Sequence, residues 1–578
     1  MTLRIKKEIQ RLKAKSYPIS FMACDNITTK SNMHFLEVPG HATPYTNNDV
    51  IPLPPSRRTW SKKVFVFFWF ATAINIAEWS GASASLALGL TVQQAIIVNL
   101  TSTIIITAAL VISGYGGGQW HIPFVVINRA PWGLRGSWFP LLNRVLLSCC
   151  WYGVQGWFGG QMTKVMIGAI WPSFYDMPNT VGPDAAMETN DLVAFIIFWL
   201  ACLPLLFLKP ESYRIPAIIS AVLVLIAALA VFLWAFVKQG NGGPLLSNPE
   251  AVYGIGNLQG SQLAWVMVRC INSGIGGWAG GILYQSDFSR YAVHPGDQVY
   301  GQIFSIPLCL LGSNILGIVT TSCARGFYPN EPLLWKLYDL LQAIQRNEAP
   351  AARAAVFFAA FAFFLSQLSI TVVACGVVGG MDLAALCPLY IDIRRGSLII
   401  AIIGICINPW KIMNTANSFI SAISGYAVFL GPLTGIMFAD YHLLRHHRIK
   451  LSHLFLPQIG SDYWFWHGLN WRAPIAWVLG VWASLPGFCA SVTPASVIVS
   501  DTWVHIYFLS WPLSVCISAL VWMILNTVSP APGIGEVDDD DVFGTFGELQ
   551  KPKDSKQEKE GPDHLSESPT YITSLEHA

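Results

Sequence analysis

An apolar run of about 20 residues, the length a bilayer's hydrocarbon core requires, recurs some twelve times along this chain. The runs lie near 64–87, 92–113, 143–168, 190–209, 215–238, 263–288, 299–322, 353–378, 396–413, 416–440, 472–492 and 503–527. Backbone amides in lipid find no water, so each run must pair them internally, which a helix does within one segment. The fold class is therefore all-α and polytopic, with about 12 transmembrane helices and the lipid bilayer as first partner. Composition agrees: 12% of residues are charged and the mean hydropathy is +0.47, whereas a soluble protein carries about a quarter charged. A net charge of +2 gives no field for nucleic acid. Twelve cysteines, most inside apolar runs, show neither zinc spacing nor a disulfide framework, so no metal is expected. Walker A, His-Glu-x-x-His and nucleophile-elbow patterns are missing, which argues against an enzyme, a cofactor or ATP-driven pumping.

Three regions follow: an N-terminal tail 1–63, a membrane domain 64–527 and a C-terminal tail 528–578. The first sixty residues are polar and lack the pattern of a cleavable leader. Leu3, Ile5, Ile9 and Leu12 fit one face of a short basic helix on an anionic leaflet, or simply a solvated tail. Arg57-Arg58-Thr59-Trp60 reads as an anchor before the first crossing. Alternate loops hold Arg129, Arg135 and Arg144; Lys209 and Arg214; Arg290; Arg394 and Arg395; and Arg445, Arg448 and Lys450. Loops 173–189 and 493–502 hold no Lys or Arg, while Arg325, Lys336, Arg346 and Arg353 are the exception. The bias predicts a multi-pass protein with both tails in the cytoplasm. Asp538 to Asp541 followed by Lys551, Lys553, Lys556 and Lys559 reads as disordered, with lysines open to ubiquitination machinery.

Two crossings are unusual. The first holds Asn75-Ile-Ala-Glu78-Trp79-Ser-Gly81, a polar interruption at mid-membrane. The sixth holds Gly274, Gly276, Gly277, Gly280 and Gly281 around Trp278. Unwound backbone survives in a membrane only against protein or a water-filled cavity, so we expect helices 1 and 6 to be broken. Broken first helices in two five-span halves point to a five-plus-five inverted repeat with its site at the midplane. Depth supports this. The midpoints of spans one, three, six and eight fall near Ile76, Gln155, Gly276 and Leu365–Gln367, and polar or aromatic groups gather at each.

Trp151 and Gln155, four apart, share one helix face. An indole stacks on a planar ring and a carboxamide both donates and accepts, so with Trp278 and Gly277 they suit a flat polar heterocycle. Core tryptophan with an interhelical glutamine bond is the alternative. Glu78 is a carboxylate near the membrane centre, where such groups are costly and default to function. Leaving water favours the protonated form of a carboxylate, so Glu78 is a candidate for proton coupling. A pair with Lys164 or a wet vestibule would also account for it. Asp287 and Arg290 read as a gate or a structural ion pair.

Several stretches carry a resemblance. Gly116 to Gly136 is one, and Trp151-Tyr-Gly-Val-Gln155-Gly-Trp running on to Trp171-Pro-Ser-Phe another. Ser286-Asp287-Phe-Ser-Arg-Tyr291-Ala, Tyr390-Ile-Asp-Ile-Arg394-Arg395-Gly396 and Ser424 to Tyr441 complete the set. Together they resemble the nucleobase–cation symporter family 1, most of all its fungal uracil and allantoin permease branch, which includes uridine, thiamine and nicotinamide riboside carriers. The resemblance implies a leucine-transporter-like five-plus-five repeat with two extra helices. It further implies proton symport of a heterocyclic nitrogen compound across the plasma membrane by alternating access. Trp151, Gln155 and Trp278 would hold the substrate ring, with Trp79 beside them and Tyr426 and Phe429 at the gates. The chain departs from the family's Asn-x-x-x-Asn pair in span eight, where it has Thr371 and Cys375. A thiol pairs poorly with a pyrimidine or hydantoin edge, so uracil itself loses ground; a nucleobase, allantoin or a relative is still the substrate expected, with thiamine or a nucleoside as the alternative. Ser369 is followed by Ile370 rather than a second hydroxyl, so protons are expected over sodium. A non-transporting receptor on the same fold is the remaining alternative.

Overall fold

The computed structural model describes residue 45 and residues 50–545 apart from 209–212, 247–257, 458, 493–496 and 542. The expected helix at Leu3–Leu12, Lys209 and the lysines from Lys551 onward lie outside the described residues. Among the described residues the regular structure is helical, with only isolated β-bridges.

The first crossing comes as two helices, α1 (Lys62–Ala73) and α2 (Ile76–Ala87). Ile74 and Asn75 between them are extended, at φ −101°, ψ 99° and φ −154°, ψ 171°. Asn75 makes the break tolerable in an apolar setting. Its side-chain oxygen accepts the Glu78 backbone N–H at 3.0 Å and so caps α2. Then follow α3 (Val92–Trp120), α4 (Trp138–Ile170), α5 (Thr189–Cys202) and α6 (Arg214–Gln239).

The sixth crossing differs from expectation. Helix α7 runs unbroken from Gly260 to Leu283 through the whole glycine patch, and the turn comes later, at Tyr284, before the short α8 (Gln285–Ser289). The glycines serve close packing instead. A Cβ on Gly276 would stand 2.6 Å from the Ile423 carbonyl oxygen, one on Gly280 2.7 Å from Leu147, and one on Gly274 2.9 Å from the Ser102 hydroxyl. Small residues let membrane helices approach backbone to backbone, and that use explains the patch without unwinding.

Beyond α8 come α9 (Asp297–Phe327), the amphipathic α10 (Leu337–Asn347) and α11 (Ala352–Ser369). A π-helical stretch, Ile370–Val377, joins α11 to α12 (Val378–Leu386). The last elements are α13 (Ile393–Cys406), α14 (Ala416–Phe438), α15 (Arg472–Trp482), α16 (Leu485–Val492), α17 (Asp501–Tyr507) and α18 (Ser510–Val528). Among the described residues seven helices are long and apolar enough to cross a bilayer, and α15 with α16, bent by 57°, makes an eighth when the pair is taken as one span. The remaining expected crossings are the broken first, the polar α4, the glycine-rich α7 and the short α13.

Contacts repeat with a shift of five crossings. Helix α3 of the second packs on α7 of the sixth, and α9 of the seventh packs on α1 and α2 of the first. Likewise α4 packs on α5, as α12 of the eighth packs on α13 of the ninth. Helices α15 and α18 lie outside this repeat, against each other and α14. A parallel bridge ties the two halves at one end: Trp60 N–H donates to the Tyr291 carbonyl at 2.9 Å and Val293 N–H to the Trp60 carbonyl at 3.1 Å.

The expectation of disorder from 528 onward is corrected for its first part. Arg472 donates to the carbonyls of Ser529 and Pro530, Arg445 to that of Gly533, and Arg58 to that of Thr545 at 2.6 Å. Asp538 accepts from the Ser452 backbone and hydroxyl at 2.8 and 2.6 Å, and Lys450 pairs with Glu536 and Asp462. Composition alone hides this because the segment's partners, Arg58, Arg445, Lys450, Ser452 and Arg472, lie far upstream in the chain.

Candidate functional site

A chamber lies where α2, α4, α7 and the π-helical stretch meet. Its wall includes Asn75 and Glu78 from the first crossing and Trp151 and Gln155 from the third. Gly277 and Trp278 come from the sixth, and Ile370, Ala374 and Cys375 from the eighth. The π winding places Ile370, Ala374 and Cys375 on this wall, and such stretches recur at functional sites because one wider turn re-aims side chains.

Charge and hydrogen bonds fix three of these groups. The Trp278 indole N–H donates to a Glu78 carboxylate oxygen at 3.0 Å, joining the first and sixth crossings through the site. Gln155 accepts at its side-chain oxygen from Gln367 at 2.8 Å. Below them Arg144 lies fully buried at the floor, 2.8 Å from Asp287 and 3.2 Å from Asp382. Asp287 also accepts the Phe124 backbone N–H at 2.9 Å. A second chamber on the far side shares Ala77, Glu78, Trp151, Gly277 and Trp278 with the first. Asn99, Ser102, Ser273 and Asn314 give it a polar lining. The Glu78–Trp278 pair thus stands between two hollows.

Of the residues expected from sequence, Glu78, Trp151, Gln155, Gly277, Trp278 and Cys375 come together around the first chamber. Thr371 does not line it; it is fully buried and its hydroxyl has no hydrogen-bond partner. Trp79 is turned away, 1% exposed and edge-on to Phe363. Phe429 faces Trp477 and Phe488 on the outer helices, and Tyr426 meets Cys150. The Asp287–Arg290 pair is replaced: among the described residues Asp287 forms its ion pair with Arg144, while Arg290 reaches Tyr291 and Met381. Lys164 pairs with Asp191 at 2.7 Å, so it is not the partner of Glu78. Reading the sequence missed Arg144, Ser148 and Tyr284 on the wall. Arg144 looked like a loop cation because α4 starts at Trp138, five residues earlier than hydropathy suggests.

A broken first crossing, contacts repeated at a five-span interval and a chamber of indoles, amide and carboxylate between the halves define a secondary-carrier fold. A family profile described as permease for cytosine/purines, uracil, thiamine, allantoin matches residues 52–514, and the chain belongs to that family, the nucleobase–cation symporters. It is 32% identical over 498 residues to the allantoin permease of Saccharomyces cerevisiae, covering 84% of this chain and 76% of the relative. The uracil permease of the same yeast is 31% identical at the same coverage. Transporter aclS of Aspergillus oryzae is 31% identical over 576 residues, covering 89% and 92%. Among solved structures, the inward-facing conformation of Mhp1 matches with a TM-score of 0.65 at 19% identity, covering 86% of this chain and 97% of that one. Mhp1 in a closed conformation with bromovinylhydantoin bound scores 0.63 at 20% identity, covering 83% and 96%. The protein is accordingly a multi-pass membrane transporter and not an enzyme.

Proposed function

We propose that this transporter imports a planar heterocyclic nitrogen compound, a nucleobase, allantoin or a close relative, in symport with protons across the plasma membrane, with both tails in the cytoplasm. The observation that carries this reading is the chamber itself: two indoles, a carboxamide and a carboxylate converge there from both halves of the repeat. Trp151 and Trp278 stack on the ring, and Gln155 fixes its orientation through a directed hydrogen bond. Glu78 couples the proton. As a carboxylate it holds the Trp278 N–H strongly, and as a neutral acid it holds it less, so protonation changes one wall of the substrate pocket. Proton and substrate then influence each other's binding reciprocally. The two hollows that share this pair support a reading by alternating access.

A second substrate class has its own support. Cys375 on the wall offers little to a pyrimidine edge, while a carboxylate beside the Trp278 indole suits a cationic ring such as thiamine. Competition separates the two. A transport-null yeast expressing this chain is expected to take up one of uracil, allantoin, uridine, thiamine or nicotinamide riboside, and to lose that uptake with a protonophore. Gln155→Ala should abolish high-affinity uptake with surface expression intact. Uptake insensitive to the protonophore would remove proton coupling, and wild-type affinity in Gln155→Ala would remove Gln155 from the site.

A further inference from the structure

The hydrogen-bonding sense of the pocket is set by a residue that does not touch its contents. Gln367, on α11, is fully buried. Its side-chain N–H₂ group donates twice, to the Gln155 backbone carbonyl at 3.1 Å and to the Gln155 side-chain oxygen at 2.8 Å. The first bond settles the orientation of Gln367, because a backbone carbonyl only accepts and a flipped amide would set oxygen against oxygen. With Gln367 so held, the atom of Gln155 facing it must be the oxygen. The Gln155 side-chain nitrogen therefore points the other way, on a residue that lines the chamber, with no acceptor among the described residues. The cost of this arrangement is visible in the Gln367 side-chain oxygen, which is buried without a partner.

We infer that Gln367 is the positioning residue that makes Gln155 an obligate donor, so the pocket selects rings presenting a carbonyl oxygen, not an amino group, at that edge. The inference rests on the proposed use of the chamber for a heterocycle and adds which edge chemistry it accepts. Glu78, with one oxygen engaged by Trp278, supplies the complementary acceptor. The pair thus reads a carbonyl at one place and an N–H at another. A site built this way rejects an analogue that leaves its buried donor facing a second donor.

The test uses two probe pairs that differ by carbonyl against amino, uracil with cytosine and hypoxanthine with adenine. Binding is read as ligand-induced thermal stabilisation of the purified full-length protein in detergent. Wild type is expected to bind the carbonyl member at least tenfold more tightly in whichever pair binds. Gln367→Met frees the Gln155 amide to rotate, and the ratio should fall toward one. Gln155→Glu lets Gln367 donate to one carboxylate oxygen and turns the other, an acceptor, to the chamber, so the preference should invert. A residue acting only through packing would lower both affinities and leave the ratio alone. Preference for the amino member in wild type, or a Gln367→Met protein with the wild-type ratio, overturns the assignment. Should Gln367→Met not fold, Gln155→Glu decides it alone, and an unchanged order there overturns it. Binding of thiamine alone, whose pyrimidine carries an amino group, overturns the carbonyl assignment, whereas failure of the four probes and of every ligand of the competition panel to bind at millimolar concentration overturns instead the reading of the chamber on which the inference rests.

Discussion

Arg144 holds two buried carboxylates, Asp287 and Asp382, and its remaining terminal nitrogen has no partner. Removing one member of a buried ionic cluster strands the rest, at about 3–5 kcal/mol. Arg144→Leu should therefore reduce the amount of folded protein sharply, and adding Asp287→Asn and Asp382→Asn should recover much of it. Detergent-extracted yield and thermal stability check this; a stable single variant would show that the carboxylates are already satisfied without the guanidinium. At Cys375 the change of interest is specificity. Cys375→Asn places a donor and an acceptor where a thiol stood, and preference should shift toward uracil-like rings in the competition panel. An unchanged profile would separate Cys375 from recognition. Single residues were legible where chemistry and spacing coincide: Trp151 and Gln155 are four apart and do face one chamber. Arg144 was not, since hydropathy marks where lipid contact begins and not where a helix starts. Thr371 was misplaced because sequence carries no sign that the eighth crossing changes winding at Ile370.

At the scale of elements, two features that look alike in sequence proved to be different devices. The polar stretch at Asn75 is a real interruption with its own cap, and the glycine run at 274–281 is a packing surface on a continuous helix. The distinction lies in partners that sequence does not show: a capping oxygen for a free N–H in one case, and the Ile423 carbonyl across from Gly276 in the other. Asn75→Ala should cost about 1 kcal/mol through the lost cap, and should loosen the junction that carries Glu78. Gly276→Leu has no room beside that carbonyl and should destabilise by several times as much, as α7 moves off α14. Thermal unfolding of the two variants in detergent checks the order. A well-folded Gly276→Leu would mean that α7 and α14 sit further apart than described.

Across the whole molecule, charged side chains act through engaged partners rather than as free loop charge. The cations that broke the loop-charge pattern are engaged locally. Arg325 donates to the carbonyls of Pro329 and Glu331, Arg346 pairs with Glu331, Lys336 with Asp339, and Arg353 donates to the Ala169 carbonyl. They belong to a built cap around α10, whose buried face carries Leu337, Leu340, Leu341 and Ile344, and so weigh little in a rule based on free loop charge. Acids do the same work at the opposite end of the chain, where Glu536 and Asp538 hold the segment after α18 to Lys450 and Ser452. Lys450→Ala with Ser452→Ala should release that segment, seen as faster amide exchange across 530–545 with the helical bundle unchanged.

The proposed role of the chamber between the two halves, to hold the transported ring, is open to direct observation. Imaging the purified protein by electron cryomicroscopy with the ligand that wins the competition panel tests it most directly. Density is expected for a flat ring between Trp151 and Trp278, within hydrogen-bond distance of the Gln155 side-chain nitrogen. Ligand density outside that chamber, or a ring that touches neither indole, would contradict it.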